Sequence, residues 1–375
     1  MSLKFSVITV SYNSENTIEK TIKSIIAQKY PDIEYIIIDG GSTDNTVNII
    51  KKYEQQITRW ISESDQGIYD AMNKGINMAS GDVISFLNSD DWYEEDIFQR
   101  LENMFMIEEC DIISGSVILW TGNRVAEEYH VIAEKEQLYT GMIYAHPATF
   151  VRKYVFDQCG KFDLKYKIVS DYDWFFRVQL ANIKIFRTDE KFTNFSLDGI
   201  SARGLLMQIK EEYDIRTKYV TLLTTEKREK IGNDIELKLE DAILSYINRN
   251  FNNLYYDIEE EINDKLFGAY KKYSIFGAGI RLKNTIDFIN NIGINIECIY
   301  DNHNCFQEQF GYRIVPFEQY NGEYVIVSTE KYYDEIKQQL GERKLVEYKD
   351  FSSAAKLKEN IYRILQEKLR MEIKQ

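Results

Sequence analysis

The chain has 375 residues, 44% of them hydrophobic, and its 60 acidic against 46 basic residues give a formal net charge of -14. That length exceeds what one ordinary core holds, so about two domains are expected, and the apolar content excludes a disordered chain. The acidic balance excludes the broad basic field that duplex nucleic acid attracts, so nucleic acid is not an expected partner. Cys110, Cys159, Cys298 and Cys305 stand far apart without a CxxC pair, and no secretory pattern follows Met1. A reducing cytoplasm is the expected compartment. No apolar run approaches the roughly 20 residues that cross a bilayer, so membrane contact is expected to be peripheral, at the inner face.

Residues 5–10 read as a buried strand, and Asn16 with Glu19 offers a capping box to a helix burying Ile18, Ile22, Ile25 and Ile26. Ile33 to Ile38 is a nearly continuous apolar run ending in Asp39, and a Gly40-Gly41-Ser42-Thr43-Asp44 turn feeds a helix with Val47, Ile50 and Tyr53. A third strand near Trp60-Ile61 leads to a helix burying Ile68, Met72, Ile76 and Ala79, followed by a strand from Val83 to Leu87. Repeated β-α steps predict a doubly wound α/β sheet. Ligands of such sheets sit beyond the carboxyl ends of the strands, which here present Ser11, Tyr12, Asn13, Asp39 and Asn88-Ser89-Asp90-Asp91.

From Cys110 to Val131 shorter alternating strands are expected, then His146-Pro147-Ala148-Thr149-Phe150 and an aromatic-rich helix from Asp171 to Leu180. We read 1–202 as one domain and 203–268 as a helical connector with Leu237, Leu239, Ile243, Leu244 and Ile247 as its buried stripe. Residues 269–350 read as a small Rossmann-like domain, whose strand runs into Gly277-Ala278-Gly279 and whose second strand ends at Asp301. A third fingerprint glycine is missing, since position 282 is Leu. A scaffold or docking role is favoured there over cofactor binding. Residues 351–375 form an amphipathic helix, read as a docking element rather than a membrane anchor.

Asp90 and Asp91 supply hard carboxylate oxygens of the kind Mg²⁺ or Mn²⁺ accepts while bridging phosphates. The same turn also reads as an Asx turn capping a helix near Glu94, and Asp39 as a cap of its own turn. Tyr69 and Trp174 are candidates for stacking on sugar rings. With three histidines in the chain, His130, His146 and His303, no histidine metal cluster is suggested.

Four ordered segments, Val7 to Asn13, Ile38 to Thr46, Asp65 to Gly75 and Asn88 to Asp91, closely resemble the family 2 inverting glycosyltransferases, in particular the bacterial exopolysaccharide and capsule branch. The resemblance spans roughly residues 4 to 200. It implies the nucleotide-diphospho-sugar transferase (glycosyltransferase A-type) fold and a metal-dependent enzyme moving a sugar from a nucleotide sugar, UDP-sugars favoured, to a saccharide or lipid-linked saccharide acceptor.

The resemblance also implies site roles. Thr9 and Asp39 would hold the nucleobase, Asn73 and Lys74 would lie near ribose or diphosphate, Asn88 would face ribose, and Asp90 would bind the cation with Asp91 as a helper. The family's aspartate-x-aspartate motif reads Asn88-Ser89-Asp90 here. Ser170-Asp171-Tyr172-Asp173 resembles the family's Glu-Asp-x-Asp segment, so Asp171 would be the base, with helix capping as the competing role. His146 resembles the histidine of the family's His-Pro-x-x-Phe stretch and is a further candidate at the diphosphate or metal. The altered motif keeps open a non-catalytic, nucleotide-sugar-binding assembly partner, and a homo-oligomer is compatible with the sequence.

Overall fold

The computed structural model describes residues 2–122, 124–129, 135–197, 204–257, 265–266, 273–277, 282–291, 294–301, 308–316, 319–320, 322–328, 333–342, 345 and 351–374. His130, His303, Cys305, Ala278 and Gly279 lie outside these residues. The chain forms two compact units, Met1–Leu239 and Glu240–Gln375.

The first unit opens with parallel strands β1 (Phe5–Ser11), β2 (Ile33–Asp39), β3 (Arg59–Ser62) and β4 (Val83–Phe86), connected by helices α1 (Ile18–Ile26), α2 (Thr46–Lys52) and α3 (Ile68–Met78). β1 lies between β2 and β4, with Ser11 opposite Asp39 and Ile8 opposite Phe86. Both faces of β1 are covered, which is why all seven of its residues are buried, Ser6, Thr9 and Ser11 included. Ile8 and Val10 pack with Met72 and Ile76 of α3, while Phe5 and Val7 pack with Ile18, Ile22 and Ile25 of α1. Each such fully buried side chain contributes about 1.5–3 kcal/mol. Gly75 sets how closely α3 approaches, since a Cβ there would stand 2.4 Å from Ile8 Cγ2.

The sheet continues through β5 (Trp92–Tyr93), β6 (Ile112–Thr121), β7 (Arg124–Tyr129), β8 (Thr149–Arg152) and β9 (Ile185–Ser196), in the order β3-β2-β1-β4-β8-β6-β9-β5 with β7 beside β6. β8 enters antiparallel between β4 and β6. Helices α4 (Ile97–Ile107), α5 (Tyr154–Cys159), α6 (Ser170–Leu180) and α7 (Leu205–Val220) complete the unit, and α8 (Thr225–Asp257) contains the division between the units.

Six expectations are corrected. Ile26, expected to be buried, is exposed at the end of α1, and Phe351–Ser353 form a strand rather than the start of the terminal helix. The first helix has no capping box: Thr17 is its N-cap without a side-chain bond, and Glu19 instead accepts from Lys52 and Tyr53, both at 2.6 Å. The helix expected near Glu94 begins three residues later, at Ile97, because Trp92 and Tyr93 pair with β9. On α8, Leu239, Ile243 and Ile247 are buried, but Leu237 and Leu244 are exposed, so the stripe is narrower than expected. Tyr69 and Trp174 are core residues at 6% and 1% exposure, which excludes stacking on a sugar at the surface.

The second unit holds a sheet ordered β12-β13-β11-β10-β14-β15, with β10 (Tyr273–Phe276), β11 (Ile296–Tyr300), β12 (Glu308–Gln309), β13 (Tyr312–Val315), β14 (Tyr324–Val327) and β15 (Phe351–Ser353). All pairs are parallel except β12 with β13. Helices α9 (Leu282–Asn291) and α10 (Tyr333–Glu342) precede α11 (Ala354–Lys374), which buries Ile361, Leu365 and Leu369.

Candidate active site

The carboxyl ends of β1, β2 and β4 lie side by side through their parallel register, where doubly wound sheets bind ligands. The loops leaving them are laced together. Asn13 Oδ1 accepts from the Thr43 amide at 2.9 Å, and Ser42 Oγ accepts from the Asn13 amide at 2.8 Å. Asp39 organises this rim: fully buried, it accepts from the Ser11, Ser42 and Ser62 hydroxyls at 3.1, 2.5 and 2.7 Å and from the Gly41 and Ser42 amides at 3.2 and 2.9 Å. These donors compensate the desolvation of its charge. Gly40 leaves room for the neighbouring loop, since a Cβ there would lie 2.5 Å from Asp65 Oδ2.

Three further candidates spend their polar atoms on protein partners. Thr9 is fully buried on β1 and its hydroxyl accepts from Tyr35 at 3.2 Å. Asn73 donates to the Phe162 carbonyl at 2.9 Å and accepts from the Phe162 amide at 3.0 Å. Lys74 donates to Glu63 at 2.9 Å and to the Ser64 carbonyl at 3.1 Å, and its bond to Glu63 raises its pKa.

The Asn88-Ser89-Asp90-Asp91 turn follows β4. Thr21 of α1 donates to the Asp91 carbonyl at 2.6 Å, and Ser14 and Ser89 hydroxyls meet at 2.7 Å, so the turn is anchored to the β1–α1 connection. The Asp91 carboxylate is buried and accepts the Ser196 amide through Oδ1 at 2.9 Å, while Oδ2 has no partner among the described residues. Burial, reinforced by the Asp90 charge, pushes its pKa well above the carboxylate range. Asn88 Oδ1 is likewise buried without a partner.

His146 stacks on Phe86 of β4 at 5.3 Å, and its Nε2 is buried without a partner among the described residues. Burial pushes the imidazole pKa down against the opposing pull of the Asp171 charge. Asp171 lies in the first turn of α6, and its Oδ1 accepts from the Tyr69 hydroxyl at 2.8 Å. Asp173, two residues on, is consumed by structure: it is buried and bonded to Arg177 at 2.9 Å, Lys218 at 2.8 Å and Tyr219 at 2.9 Å.

The contribution of Ser196, a main-chain amide from 105 residues away, had no sequence signal. Ser14 follows the Ser11-Tyr12-Asn13 segment directly and could have been found there.

A divalent cation shared with a diphosphate needs only one or two protein carboxylates. Asp90 and Asp91 fit that requirement, with orphaned oxygens on Asp91 and Asn88 in the same turn. Among the described residues no group of three or more His, Cys, Asp and Glu forms a cation cage.

The family model of glycosyl transferase family 2 matches residues 6–160, which contain every strand-end motif above. A PGL/p-HBAD biosynthesis glycosyltransferase of Mycobacterium bovis (strain BCG / Pasteur 1173P2) is 30% identical over 175 residues, covering 45% of this chain and 67% of that protein. Glycosyltransferase GlyA of Streptococcus pneumoniae serotype 4 is 29% identical over 163 residues, 43% of this chain and 23% of that protein. Among solved structures, residues 1–349 of S. aureus TarS in complex with UDP-GlcNAc align over 78% of this chain and 80% of that one, at 19% identity and a TM-score of 0.48. The chain belongs to glycosyltransferase family 2 and is a sugar transferase with the A-type fold. No helix among the described residues is long and apolar enough to cross a membrane.

Proposed function

We propose that the chain transfers a sugar from a nucleotide diphosphate-sugar, with UDP-sugars favoured, to a saccharide or lipid-linked saccharide hydroxyl in one inverting displacement. The setting is bacterial cell-surface polysaccharide synthesis at the cytoplasmic face of the membrane. One observation carries the reading. Of the four buried side-chain polar atoms without a partner among the described residues, three are Asn88 Oδ1, Asp91 Oδ2 and His146 Nε2, on or beside the β4 strand end. Such atoms cost about 1–3 kcal/mol each if nothing pairs with them, and Phe86, on which His146 stacks, lies two residues before Asn88, so a polar ligand at this strand end is supported.

In this reading Asp39 with the rim of β1 and β2 shapes the nucleoside end of the pocket, and Thr9, Asn73 and Lys74 brace it from behind. Asn88 faces the ribose, and Asp90 with Asp91 holds Mn²⁺ or Mg²⁺. A cation held there would supply positive charge where the departing diphosphate gains negative charge. Asp171 accepts the acceptor hydroxyl's proton while that oxygen bonds to the sugar C1. The bond from C1 to phosphate oxygen breaks with its electron pair leaving on the nucleoside diphosphate. His146, held neutral by burial, offers Nε2 to the diphosphate side.

Residues 1–202 are the catalytic domain, 203–268 a helical connector, and 269–350 a Rossmann-like scaffold or docking domain, whose sheet is completed by Phe351–Ser353 and followed by the terminal helix Ala354–Lys374. A thermal-shift screen of UDP-glucose, UDP-galactose, UDP-N-acetylglucosamine and GDP-mannose with Mn²⁺ or EDTA tests the reading. Metal-dependent stabilisation by a UDP-sugar is expected. The absence of stabilisation by any nucleotide sugar, with cooperative melting intact, overturns it.

A further inference from the structure

Glu211 lies on α7, beyond the segment that matches the family model, and is 7% exposed. Its carboxylate faces three consecutive main-chain amides. Oε1 accepts from Lys167 at 2.6 Å, and Oε2 accepts from Ile168 at 2.9 Å and Val169 at 3.1 Å. Val169 is the N-cap of α6, and the helix begins at Ser170, so this one side chain fixes the chain immediately before Asp171. A buried carboxylate satisfied by three N–H groups is a strong local constraint.

Ile168 has a partner on each side. Its amide donates to Glu211, and its carbonyl lies 2.8 Å from the Tyr69 hydroxyl, which is also 2.8 Å from Asp171 Oδ1. A phenol has one proton and an oxygen that also accepts. While Asp171 is ionised, that proton serves Oδ1. When Asp171 has taken a proton it can donate to the phenol oxygen, and the phenol proton turns to Ile168. Both protonation states are hydrogen-bonded without moving a heavy atom.

We propose that Glu211 is a positioning residue for Asp171, acting through the Ile168 peptide and Tyr69. The inference rests on the reading of Asp171 as the base. Glu211→Gln replaces one acceptor oxygen with an N–H donor that faces other donors. It loosens the Ile168 peptide while leaving the strand-end turn untouched.

The test uses the full chain, UDP release from UDP-glucose, UDP-galactose or UDP-N-acetylglucosamine with Mn²⁺, and water or octyl glycosides as acceptors, taking the fastest pair. Glu211→Gln is expected to lower kcat about 10- to 100-fold with donor KM within about threefold. In the Asp171→Asn background it is expected to lower kcat no further. Tyr69→Phe, which removes only the bridging oxygen, is expected to show the same pattern and decides the matter if Glu211→Gln does not fold. Equal losses in both backgrounds, or a loss confined to donor KM, overturn the positioning role. Unchanged kcat in Asp171→Asn alone overturns the base assignment itself, and the inference falls with it.

Discussion

Asn73 and Phe162 exchange two hydrogen bonds across 89 positions of sequence, the side-chain amide of one reading both main-chain groups of the other. The pair ties α3 to the loop that leads to Asp171. Asn73→Ala leaves a buried peptide unpaired, and a loss of about 1–3 kcal/mol is expected. Denaturant melting measures it, and a change below about 0.5 kcal/mol would mean that water replaces the side chain.

Asp90→Asn keeps the shape of the turn and removes a charge. The folded variant is expected to lose most of the Mn²⁺-dependent stabilisation by UDP, because the protein's share of the cation's ligands falls. Calorimetry of UDP with and without Mn²⁺ checks this, and an unaltered metal-dependent affinity would move the cation elsewhere.

Asp171→Asn preserves size while abolishing proton acceptance. UDP affinity is expected to stay within about threefold and transfer to fall on the order of 10²- to 10⁴-fold. Binding and turnover measured on the same preparation separate the two effects.

Glu34 carries a pH-dependent share of stability. Its carboxylate is 2% exposed and accepts from Ser6 and the Ser80 amide, both at 2.6 Å, and from the Ser80 hydroxyl at 2.7 Å. Burial pushes its pKa up, but these donors and the Lys4 charge outweigh burial and take it from the ordinary 4.5 to about 2. A depressed folded-state value means the contribution is complete above about 4.5 and fades as pH falls toward 2. Glu34→Gln is therefore expected to cost up to about 3 kcal/mol at pH 7 and progressively less below pH 4.5. Urea melts at pH 7 and pH 3 test the sign.

A chain ending at Gly268 keeps all of the first unit and every strand-end motif. We expect it to melt cooperatively and to bind UDP with Mn²⁺, although Asn248 and Glu240 of α8 lose their partners Tyr362 and Arg370. A cooperative melt without UDP binding, where the full chain binds, would place part of the nucleotide site after residue 268.

The doubly wound half was legible because its signals are local: apolar runs at Phe5 to Val10 and Ile33 to Ile38, each followed by a polar turn. The gathering of Asp39, Asn88, Asp90 and Asp91 at one edge followed from parallel register alone. What each side chain binds was not legible. Asn73 finds its partner at Phe162, Asp91 at Ser196 and Asp173 at Tyr219, all chosen by tertiary packing. The same sequence pattern that offered Asn16 as a cap carries no information about Lys52, which draws Glu19 away. Leu237 and Leu244 show the limit of periodicity, since a helical stripe says which residues share a face and not how wide a neighbour covers it.

The strand order has a consequence for the ribosome. β1 to β4 use residues 5–86 only, so this half of the sheet can close on itself while the rest of the chain is still being made. Asp91 then waits for Ser196, because its buried carboxylate has no main-chain donor until β9 emerges. A nascent chain stalled between these two points holds an acidic turn not yet desolvated, and the pocket acquires its electrostatic character only as the last strand of its sheet is threaded into place between β6 and β5.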